Sequence, residues 1–542
     1  MSVRTIAART AALAALAFVA FVAFAASASA AVYFVAEDGD DANDCSAAQP
    51  CLTVQAAIDV HRQFSPAPGS RDIIEVGPGT FVGNFAADEP EDDGLLIRGT
   101  TVGQARATTL RGDGSGFPGG GAFFGAAAFL VGGCGVADIR VRNVNLDTVG
   151  ANTDVIAVEL DGGSSLTNVH ATNQPASTAL LVVGACQRGA AITQSEIAAT
   201  NEDTAIAVLD ALTLADSTVT TETASTPALV QLFGGFPGIR LRIRRSQLSI
   251  PPSTDPGDAP VIYAPGKLTV DSSLITGGLM GVATFEDGDW LINNSTIDPG
   301  APGVADSDNS SLMFEPFVPV DVTVSSSILV DSIDGFDTDA AGTVSCDFSD
   351  LPVVNLDPTF DDQCPLGGGS SNTSTPPDDL FAGGAPYDWR LLPDAPAIDT
   401  GAAGPPPAGL AERDLAGNPR RAAGSTATCP DGIRDRGAYE FIGPPCELQP
   451  PEILGGAAPS PGTQLSSVRG EFNHKPTSYA RLWLRCDAAG DNCAEITPPR
   501  TGKGYRVRGV DLGHTLRLQV IATNAAGDSE PALSDPTGVV AE

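Results

Sequence analysis

A short pattern of apolar and polar positions recurs through the middle of the chain. Eight segments of eight residues carry an aliphatic residue at the third position and an apolar residue at the eighth. Their fifth and sixth positions are mostly small or polar, with Asn, Asp and Ser frequent. The segments are residues 139–146, 164–171, 190–197, 212–219, 241–248, 268–275, 290–297 and 322–329. Successive segments begin 22 to 32 residues apart, which is typical of solenoid repeats with loops of variable length.

Each segment predicts a strand followed by a corner. Alternation over the first three positions indicates a strand with one buried face. Asn, Asp and Ser at the corner are able to satisfy turn backbone groups with their side chains, and stacking predicts a hydrogen-bonded ladder. Parallel crossovers are nearly always right-handed. We therefore expect an all-β fold, a right-handed parallel β-helix solenoid, and we reject amphipathic helices because the segments are short and rich in β-branched residues.

The residues before the repeats predict the start of the same solenoid. Residues 72–81, 94–99 and 108–112 are strand-like stretches bounded by Gly or Pro. Residues 54–62 instead have helical spacing, with Val54 and Ile58 on one face. We expect a short helix here that covers the open N-terminal end of the solenoid.

The first thirty residues have the pattern of a secretory signal peptide. Arg4 and Arg9 precede an uncharged apolar run over residues 11–26, and small residues follow it. Cleavage is expected after Ala28 or Ala30; an uncleaved membrane anchor is the alternative. No second long apolar run follows, so we expect a mature chain without a membrane span, located outside the cell or at its surface.

Ten cysteines agree with export into an oxidising compartment. Neighbours along the chain predict five disulfides, although connectivity does not follow from sequence alone. The expected pairs are Cys45–Cys51, Cys134–Cys186, Cys346–Cys364, Cys429–Cys446 and Cys486–Cys493. No Cys-x-x-Cys pair or Cys/His cluster indicates zinc.

Charge narrows the range of partners. The chain has 66 acidic and 30 basic residues, a formal net charge of −36. Such a surface argues against nucleic acid and against anionic lipid, both of which select basic proteins. The acids are concentrated before residue 447, and the last part of the chain is nearly neutral.

Residues 451–542 predict a separate small β-sandwich after the Pro450-Pro451 linker. Alternating stretches occur at 480–485 and 516–522, and Cys486 and Cys493 enclose a polar turn. Trp483 has two interpretations, a sugar-stacking platform or a core residue, and its aliphatic neighbours favour the core.

Several motifs carry a resemblance to known families. Residues 44–53, 57–58 and 73–80 resemble the start of secreted bacterial β-helix proteins with the pectate-lyase-like fold. Residues 388–391, 394–401, 413–420 and 435–441 resemble the choice-of-anchor Q region of such proteins. Residues 483–487, 511–513 and 522–527 with Tyr505 resemble immunoglobulin/fibronectin-like modules. The resemblance implies four parts: a signal peptide (1–30), a β-helix (31–380), a choice-of-anchor Q-like closing segment (381–446) and a β-sandwich (451–542).

The sequence offers few candidate catalytic or metal-binding residues. A lyase of this fold needs clustered carboxylates for Ca²⁺ and a nearby Arg or Lys base. Asp216 and Asp271 are candidate carboxylates, with Arg240, Arg242, Arg244 and Arg245 between them in sequence, but a solvated face is the favoured interpretation. The acidic run over residues 37–44 invites a weak calcium site but lacks the EF-hand spacing. The chain has no Gly-His-Gly or Arg-x-Lys of the polygalacturonase pattern.

The sequence therefore favours a secreted, non-catalytic β-helix protein. We expect it to bind extracellular polysaccharide or a cell-surface component, with no certain cofactor and Ca²⁺ left open. The alternative is a divergent polysaccharide lyase or glycoside hydrolase of the same fold.

Overall fold

The structure is a computed structural model of the 542-residue chain. It describes residues 30–64, 69, 71–100, 107–117, 126–136, 138–148, 155–172, 179–184, 186, 188–200, 204–222, 228–235, 238–251, 260–300, 309–314, 318–334, 342–352, 364–366, 371–382, 388–404, 406–420 and 433–542. The chain forms two compact units, one ending at Ala190 and the other beginning at Ala191, and each is described by itself.

The N-terminal unit consists of stacked parallel strands in three sheets. In order of stacking, the first sheet contains Val32–Val35, Ile73–Val76, Leu96–Gly99, Arg140–Arg142 and Ser165–Thr167. The second contains Gly79–Val82, Thr108–Gly112, Asn145–Thr148 and His170–Thr172. The third contains Phe85–Ala87, Ala126–Val131, Val155–Leu160 and Ala179–Val183. The predicted helix is present as α1, Val54–Phe64, and it buries Val54, Ala57, Ile58 and His61.

The C-terminal unit, described by itself, has the same three-sheet pattern. Its first sheet contains Ala190–Thr193, Ala211–Ala215, Arg240–Arg244, Gly266–Asp271, Gly288–Asn293, Val320–Ser325 and Thr343–Asp347. The second contains Glu196–Ala199, Thr218–Thr221, Gln247–Ser249, Leu274–Thr276, Thr296–Asp298 and Ile328–Leu329. The third contains Thr204–Val208, Val230–Leu232, Pro260–Tyr263, Met280–Thr284, Ser310–Phe314 and Ser332–Asp334.

The predicted buried positions form the solenoid core. All eight aliphatic residues at position three are fully buried: Val141, Leu166, Ile192, Leu214, Ile243, Val270, Ile292 and Val324. Each lies on a strand of the first sheet, and within each unit the parallel register aligns it with the equivalent residue of the next rung. Burial of this aliphatic stack is the main stabilising contribution to the rungs.

The corner lies at position five. Residues at this position have a left-handed backbone, with φ from 44° to 57°: Asn143, Asn168, Gln194, Asp216, Arg245, Ser272, Asn294 and Ser326. Phe348 has the same conformation, φ 52°, at a ninth corner that the sequence pattern missed. That rung escaped notice because an aromatic residue replaces the small polar residue and Cys346 stands in for the aliphatic one.

A serine ladder follows at position six of the C-terminal unit. The backbone N–H of Ser195 donates to Ser217 Oγ at 3.1 Å, and Ser217 N–H donates likewise to Ser246 Oγ at 3.1 Å. The pattern continues through Ser273, Ser295, Ser327 and Ser349 at 3.1 to 3.3 Å. Each hydroxyl in turn donates to the carbonyl two residues earlier in its own rung, as Ser295 does to Asn293 at 2.9 Å. The predicted hydrogen-bonded ladder is therefore present.

The C-terminal end of the chain is antiparallel. One sheet contains Glu452–Leu454, Gln464–Val468 and Gly504–Arg506; a second contains Ala494–Glu495, Ser478–Cys486, Thr515–Asn524, Gly527–Asp528 and Ala532–Leu533. Glu447–Gln449 pairs with Glu471–Phe472. The two larger sheets share a core that includes Leu465, Trp483, Tyr505 and Leu518. The all-β prediction, a parallel solenoid with a C-terminal β-region, is confirmed.

Four of the predicted disulfides are present: Cys45–Cys51, Cys134–Cys186, Cys346–Cys364 and Cys486–Cys493. The fifth involves Cys429, which lies outside the described residues. In the described part of the chain, which excludes the apolar run at residues 11–26, no helix is long and apolar enough to cross a membrane.

Candidate functional site

The candidate basic residues lie on one strand of the first sheet, Arg240–Arg244. Alternation buries Leu241 and Ile243 in the core and turns Arg240 and Arg242 outward, where both are exposed. The register places Arg240 opposite Lys267 on the next rung and Arg242 opposite Thr269. We call Arg240, Arg242 and Lys267 the basic patch.

Part of the positive charge of the basic patch has no carboxylate partner among the described residues. Lys267 Nζ lies 2.7 Å from Asp289 Oδ2, and both side chains are well exposed. Within the described part of the chain, neither the Arg240 nor the Arg242 guanidinium pairs with a carboxylate. Two exposed guanidinium groups on one face of a strand are thus without a carboxylate among the described residues, and both could receive an anionic group.

The other two arginines of the predicted group are occupied. Arg245 binds Asp216 through two bonds, Nε to Oδ1 at 2.7 Å and Nη2 to Oδ2 at 2.5 Å. Arg244 Nη2 donates to the carbonyl oxygen of Leu410 at 3.1 Å. Of the four arginines considered together in the sequence, the structure leaves two open.

Asp271 serves a different purpose from Asp216. It is 1% exposed, and its Oδ1 accepts a hydrogen bond from Asn293 Nδ2 at 2.9 Å. Its Oδ2 accepts the backbone N–H of Ala411. The structure thus gives the two carboxylates separate partners, and among the described residues no group of three or more His, Cys, Asp or Glu is placed to hold a metal ion.

The acidic run at residues 37–44 is used mainly for local backbone contacts. Asp41 accepts the N–H groups of Leu52 and Thr53 at 2.9 and 2.8 Å, just before α1. Glu37 accepts the N–H of Thr80 at 2.9 Å, and Asp44 accepts that of Ser46 at 3.0 Å. These acids fix the entry to the solenoid.

The segment after residue 388 covers part of the corner between the first and second sheets. Its central residue is Arg420, which is 1% exposed. Arg420 donates to the carbonyl oxygens of Asn294 at 2.8 Å, Gly437 at 2.9 Å and Ala438 at 3.0 Å, and to Glu440 Oε1 at 2.8 Å. A buried guanidinium with this many acceptors holds several stretches of chain together.

Two further arginines extend this contact along the rungs. Arg434 Nη1 donates to Asn294 Oδ1 at 3.0 Å. Arg436 donates to the carbonyl oxygens of Ser349 at 2.9 Å and Ser371 at 3.0 Å. We call Arg420, Arg434 and Arg436 the arginine clasp. Together with Asp271 and Ser326, which accepts the N–H of Ala402 at 2.8 Å, it fixes this segment to the solenoid.

Buried carboxylates accompany the clasp. Asp435 accepts the N–H groups of Asp399 and Phe441, and burial raises its pKa to about 7. Burial also raises the pKa of Glu440 to about 8, although Arg420 acts in the opposite direction. Perturbed carboxylates often mark catalytic sites. Here they lie among backbone donors and guanidinium groups, a geometry that serves attachment.

The clasp was not anticipated as a group. Arg420 and Arg436 lie in two of the motifs that carry the family resemblance, 413–420 and 435–441, and Arg434 lies just before the second. No spacing rule predicts that arginines so far apart in sequence contact successive rungs. The signal available was the number of arginines, six in residues 381–446, three of which form the clasp.

The histidines are dispersed. His61 is fully buried, with Nδ1 3.2 Å from Asp72 Oδ2 and Nε2 3.0 Å from the carbonyl oxygen of Glu91. His170 lies on a second-sheet strand. His474 and His514 each contact a backbone carbonyl.

Trp483 lies in the core of the C-terminal β-region. Its side chain is fully buried, stacks on Tyr505 with 5.5 Å between ring centroids, and donates from Nε1 to Gly502 at 3.0 Å. The sugar-platform alternative is therefore wrong for this residue, because its ring has no open face.

Comparisons with known proteins found only distant structural similarity. No family model matches the chain, and no curated protein gives a significant match. Among solved structures, a pectin methylesterase from carrot is 14% identical, with a TM-score of 0.35, covering 52% of this chain and 87% of that one. The Escherichia coli protein ybhc is 12% identical, with a TM-score of 0.27, covering 58% of this chain and 75% of that one. At these values neither similarity identifies a substrate or an activity for this chain.

Proposed function

We propose that this chain is an exported, non-catalytic β-solenoid protein that binds an acidic extracellular polysaccharide through the basic patch. The observation that carries the proposal is the pair of exposed guanidinium groups, Arg240 and Arg242, on one face of one strand. In the described residues they have no carboxylate partner.

The chemistry of the patch fits a uronate-bearing chain. A guanidinium group binds a carboxylate through two parallel hydrogen bonds, which are about twice as strong as neutral ones. Neighbouring rungs are about 4.7–4.9 Å apart, so the patch offers cations at short, regular intervals. The outward hydroxyls of Thr213 and Thr269, opposite Arg242 on the adjoining rungs, add partners for sugar hydroxyls.

The acidity of the whole chain favours a local site over general adhesion. A net charge of −36 repels a polyanion at long range. At about 0.15 M salt that field is screened beyond about 8 Å, whereas contact pairs persist. A polyanion that binds is therefore expected to bind where the acids are replaced by arginines.

Export is supported by two independent features. Residues 1–30 have a basic, an apolar and a small-residue part in the order of a signal peptide. Four disulfides are typical of proteins outside the reducing cytosol. We further propose that residues 381–446 are a choice-of-anchor Q-like closing segment and residues 451–542 an immunoglobulin/fibronectin-like module acting as a spacer.

The test is a binding panel of polygalacturonate, alginate and neutral glucan, each with and without Ca²⁺. We expect the wild-type chain to bind an acidic polymer without Ca²⁺ and the double substitution Arg240→Ala/Arg242→Ala to lower affinity at least about tenfold. The matched control is Arg506→Ala, which removes another exposed strand arginine.

Two outcomes contradict the proposal. Binding that requires Ca²⁺ and survives the double substitution indicates cation bridging between acids. Release of unsaturated uronate or of new reducing ends indicates a lyase or hydrolase, the alternative that the fold class leaves open.

A further inference from the structure

The first residues of the described chain make an unusual contact. The Ala31 nitrogen donates to Asp72 Oδ1 at 2.8 Å, and the Ala31 carbonyl accepts the N–H of Ile73 at 2.9 Å. Val32–Val35 then pairs in parallel with Ile73–Val76. Ala30, one residue earlier, is exposed. Ala31 is therefore the point at which the chain joins the solenoid.

Asp72 lies in a buried polar cluster. It is 2% exposed, and its second oxygen, Oδ2, lies 3.2 Å from His61 Nδ1. Tyr33 packs edge-on against the His61 ring. Burial raises the pKa of the Tyr33 hydroxyl, and the charge of Asp72 raises it further to a smaller extent. The charged groups beyond His61 are Asp92, at 3.9 Å from its Nε2, and Arg62, whose Nη2 lies 2.6 Å from Asp92.

A buried carboxylate is better satisfied by a cation than by a neutral amide. The Ala31 nitrogen is an amide only while Ala30 precedes it. The sequence before it, Ala28-Ser29-Ala30, offers two small-residue bonds for leader removal, after Ala28 and after Ala30. Only the second bond converts the nitrogen that faces Asp72 into an ammonium group.

We propose that the leader is removed at the Ala30–Ala31 bond and that the new α-ammonium group of Ala31 binds Asp72. A water molecule adds across the peptide bond under the action of a signal peptidase. Ala30 leaves with the new carboxylate, and Ala31 keeps its nitrogen, which takes up a proton. The solenoid then gains an ion pair at its first strand that the uncut precursor lacks.

The ion pair has a defined pH dependence. A free α-amino group has a pKa of about 7.7–8.0, and the Asp72 carboxylate holds the proton on it to higher pH. The stabilisation is therefore complete below about pH 7 and is lost as the pH rises through the folded-state value. His61, Asp92, Arg62 and Tyr33 are common to every form of the chain, so comparison between N-termini isolates the ammonium group.

The first experiment is N-terminal sequencing and intact mass of the protein collected from an exporting host. The expected mature N-terminus is Ala31. A mature chain that begins at Ser29, or one that keeps its leader, overturns the proposal. This inference rests on export and not on sugar binding, so failure of the polysaccharide panel leaves it standing and the reverse also holds.

The second experiment compares purified oxidised chains that begin at Ala31 and at Ser29. We expect the ratio of folded to unfolded protein to be about tenfold higher for the Ala31 chain at pH 6.5, because only this chain places a charged amine against Asp72. The difference should vanish above about pH 10 and in the Asp72→Asn background. If Asp72→Asn fails to fold, acetylation of the Ala31 amine, which removes the charge and keeps Asp72, replaces it. Equal stability of the two chains at pH 6.5 contradicts the ammonium–Asp72 pair.

Discussion

A single residue per rung makes the solenoid turn from its first sheet to its second. Asn143, Asp216 and Arg245 share a left-handed backbone that costs about 1–2 kcal/mol for a residue with a side chain. The cost is offset because the turned N–H reaches the next rung, as Asp216 does to the carbonyl of Arg244 at 3.0 Å. Asn and Asp tolerate this conformation best, which explains their frequency there.

The serine at position six is the second decisive residue, and Ser295 tests it. Ser295→Ala removes the acceptor for Ser273 N–H and the donor to Asn293, in a fully buried place. We expect the free energy of unfolding to fall by about 2 kcal/mol, because two buried polar groups lose their partner. Chemical denaturation followed by circular dichroism measures the change.

Ser345→Ala is the control for that experiment. Ser345 is exposed on a first-sheet strand, so its loss should change stability by less than about 0.5 kcal/mol. Equal effects of the two substitutions would show that the ladder bonds add nothing beyond loss of a hydroxyl.

Asp298 gives a pH-dependent prediction at the same scale. Burial raises its pKa to about 6, against the hydrogen bond that Trp389 Nε1 donates to it at 2.7 Å. The folded chain therefore holds a proton that the unfolded chain releases near pH 4. Its contribution to stability is present below about pH 4 and is lost as the pH rises through about 6, by about 3 kcal/mol.

Asp298→Asn checks this assignment. The substitution should reduce the loss of stability between pH 4 and pH 6.5 relative to the wild-type chain, measured by thermal unfolding at half-unit steps. Asp435 and Glu440, whose pKa values are also raised, leave a remaining slope in both chains. An unchanged profile would assign the pH dependence in that range to other groups.

At the scale of elements, the segment that carries the arginine clasp acts as one attached piece. Its contacts reach rungs separated by more than fifty residues, from Ser272 to Ser349. Gly437 shows how closely it lies, because a Cβ there would come within 2.8 Å of Ile328 and Thr296. The corner residues Ser272, Asn294 and Ser326 are covered, whereas the Asp216–Arg245 pair remains partly exposed.

Arg420→Met tests the clasp. It keeps an unbranched side chain but removes the guanidinium donor to Glu440 and to three carbonyl oxygens, for which we expect a loss of about 3–5 kcal/mol of segment stability. Trypsin cleavage after Arg434 and Arg436 should become faster, as followed by mass spectrometry. Arg413→Met, in the same segment but exposed, is the matched control and should leave the cleavage rate unchanged.

The two kinds of element differ in how far sequence predicts them. Rungs are local: the aliphatic third position and the corner at position five lie two residues apart, so strand and turn follow from the pattern. The clasp is non-local, since Arg420 meets Asn294 across 126 residues. Its three arginines could be noticed in the sequence, but their acceptors are backbone carbonyls that exist only once the rungs have stacked.

At the scale of the whole molecule, the candidate site is also only partly predictable from the sequence. The four candidate arginines and two candidate aspartates lie in one stretch of the sequence. Alternation alone assigns Arg240 and Arg242 to the outer face, because Leu241 and Ile243 must be inside. The alternation does not predict that Asp271 accepts the Ala411 N–H, or that Arg245 pairs with Asp216. The basic patch can be identified only once the structure has shown which of the other charged side chains are paired.

The serine ladder has a direction. Each serine hydroxyl from Ser217 to Ser349 accepts the N–H of the serine one rung earlier. After Ser349 an amide takes the place of the hydroxyl: Asn372 Oδ1 accepts the Ser349 N–H at 3.0 Å, and Asn372 Nδ2 donates to the Cys346 carbonyl at 2.9 Å. Because every internal step of the ladder makes the same bond, a whole rung that carries a serine at position six could be inserted between two others without leaving a ladder N–H unpaired.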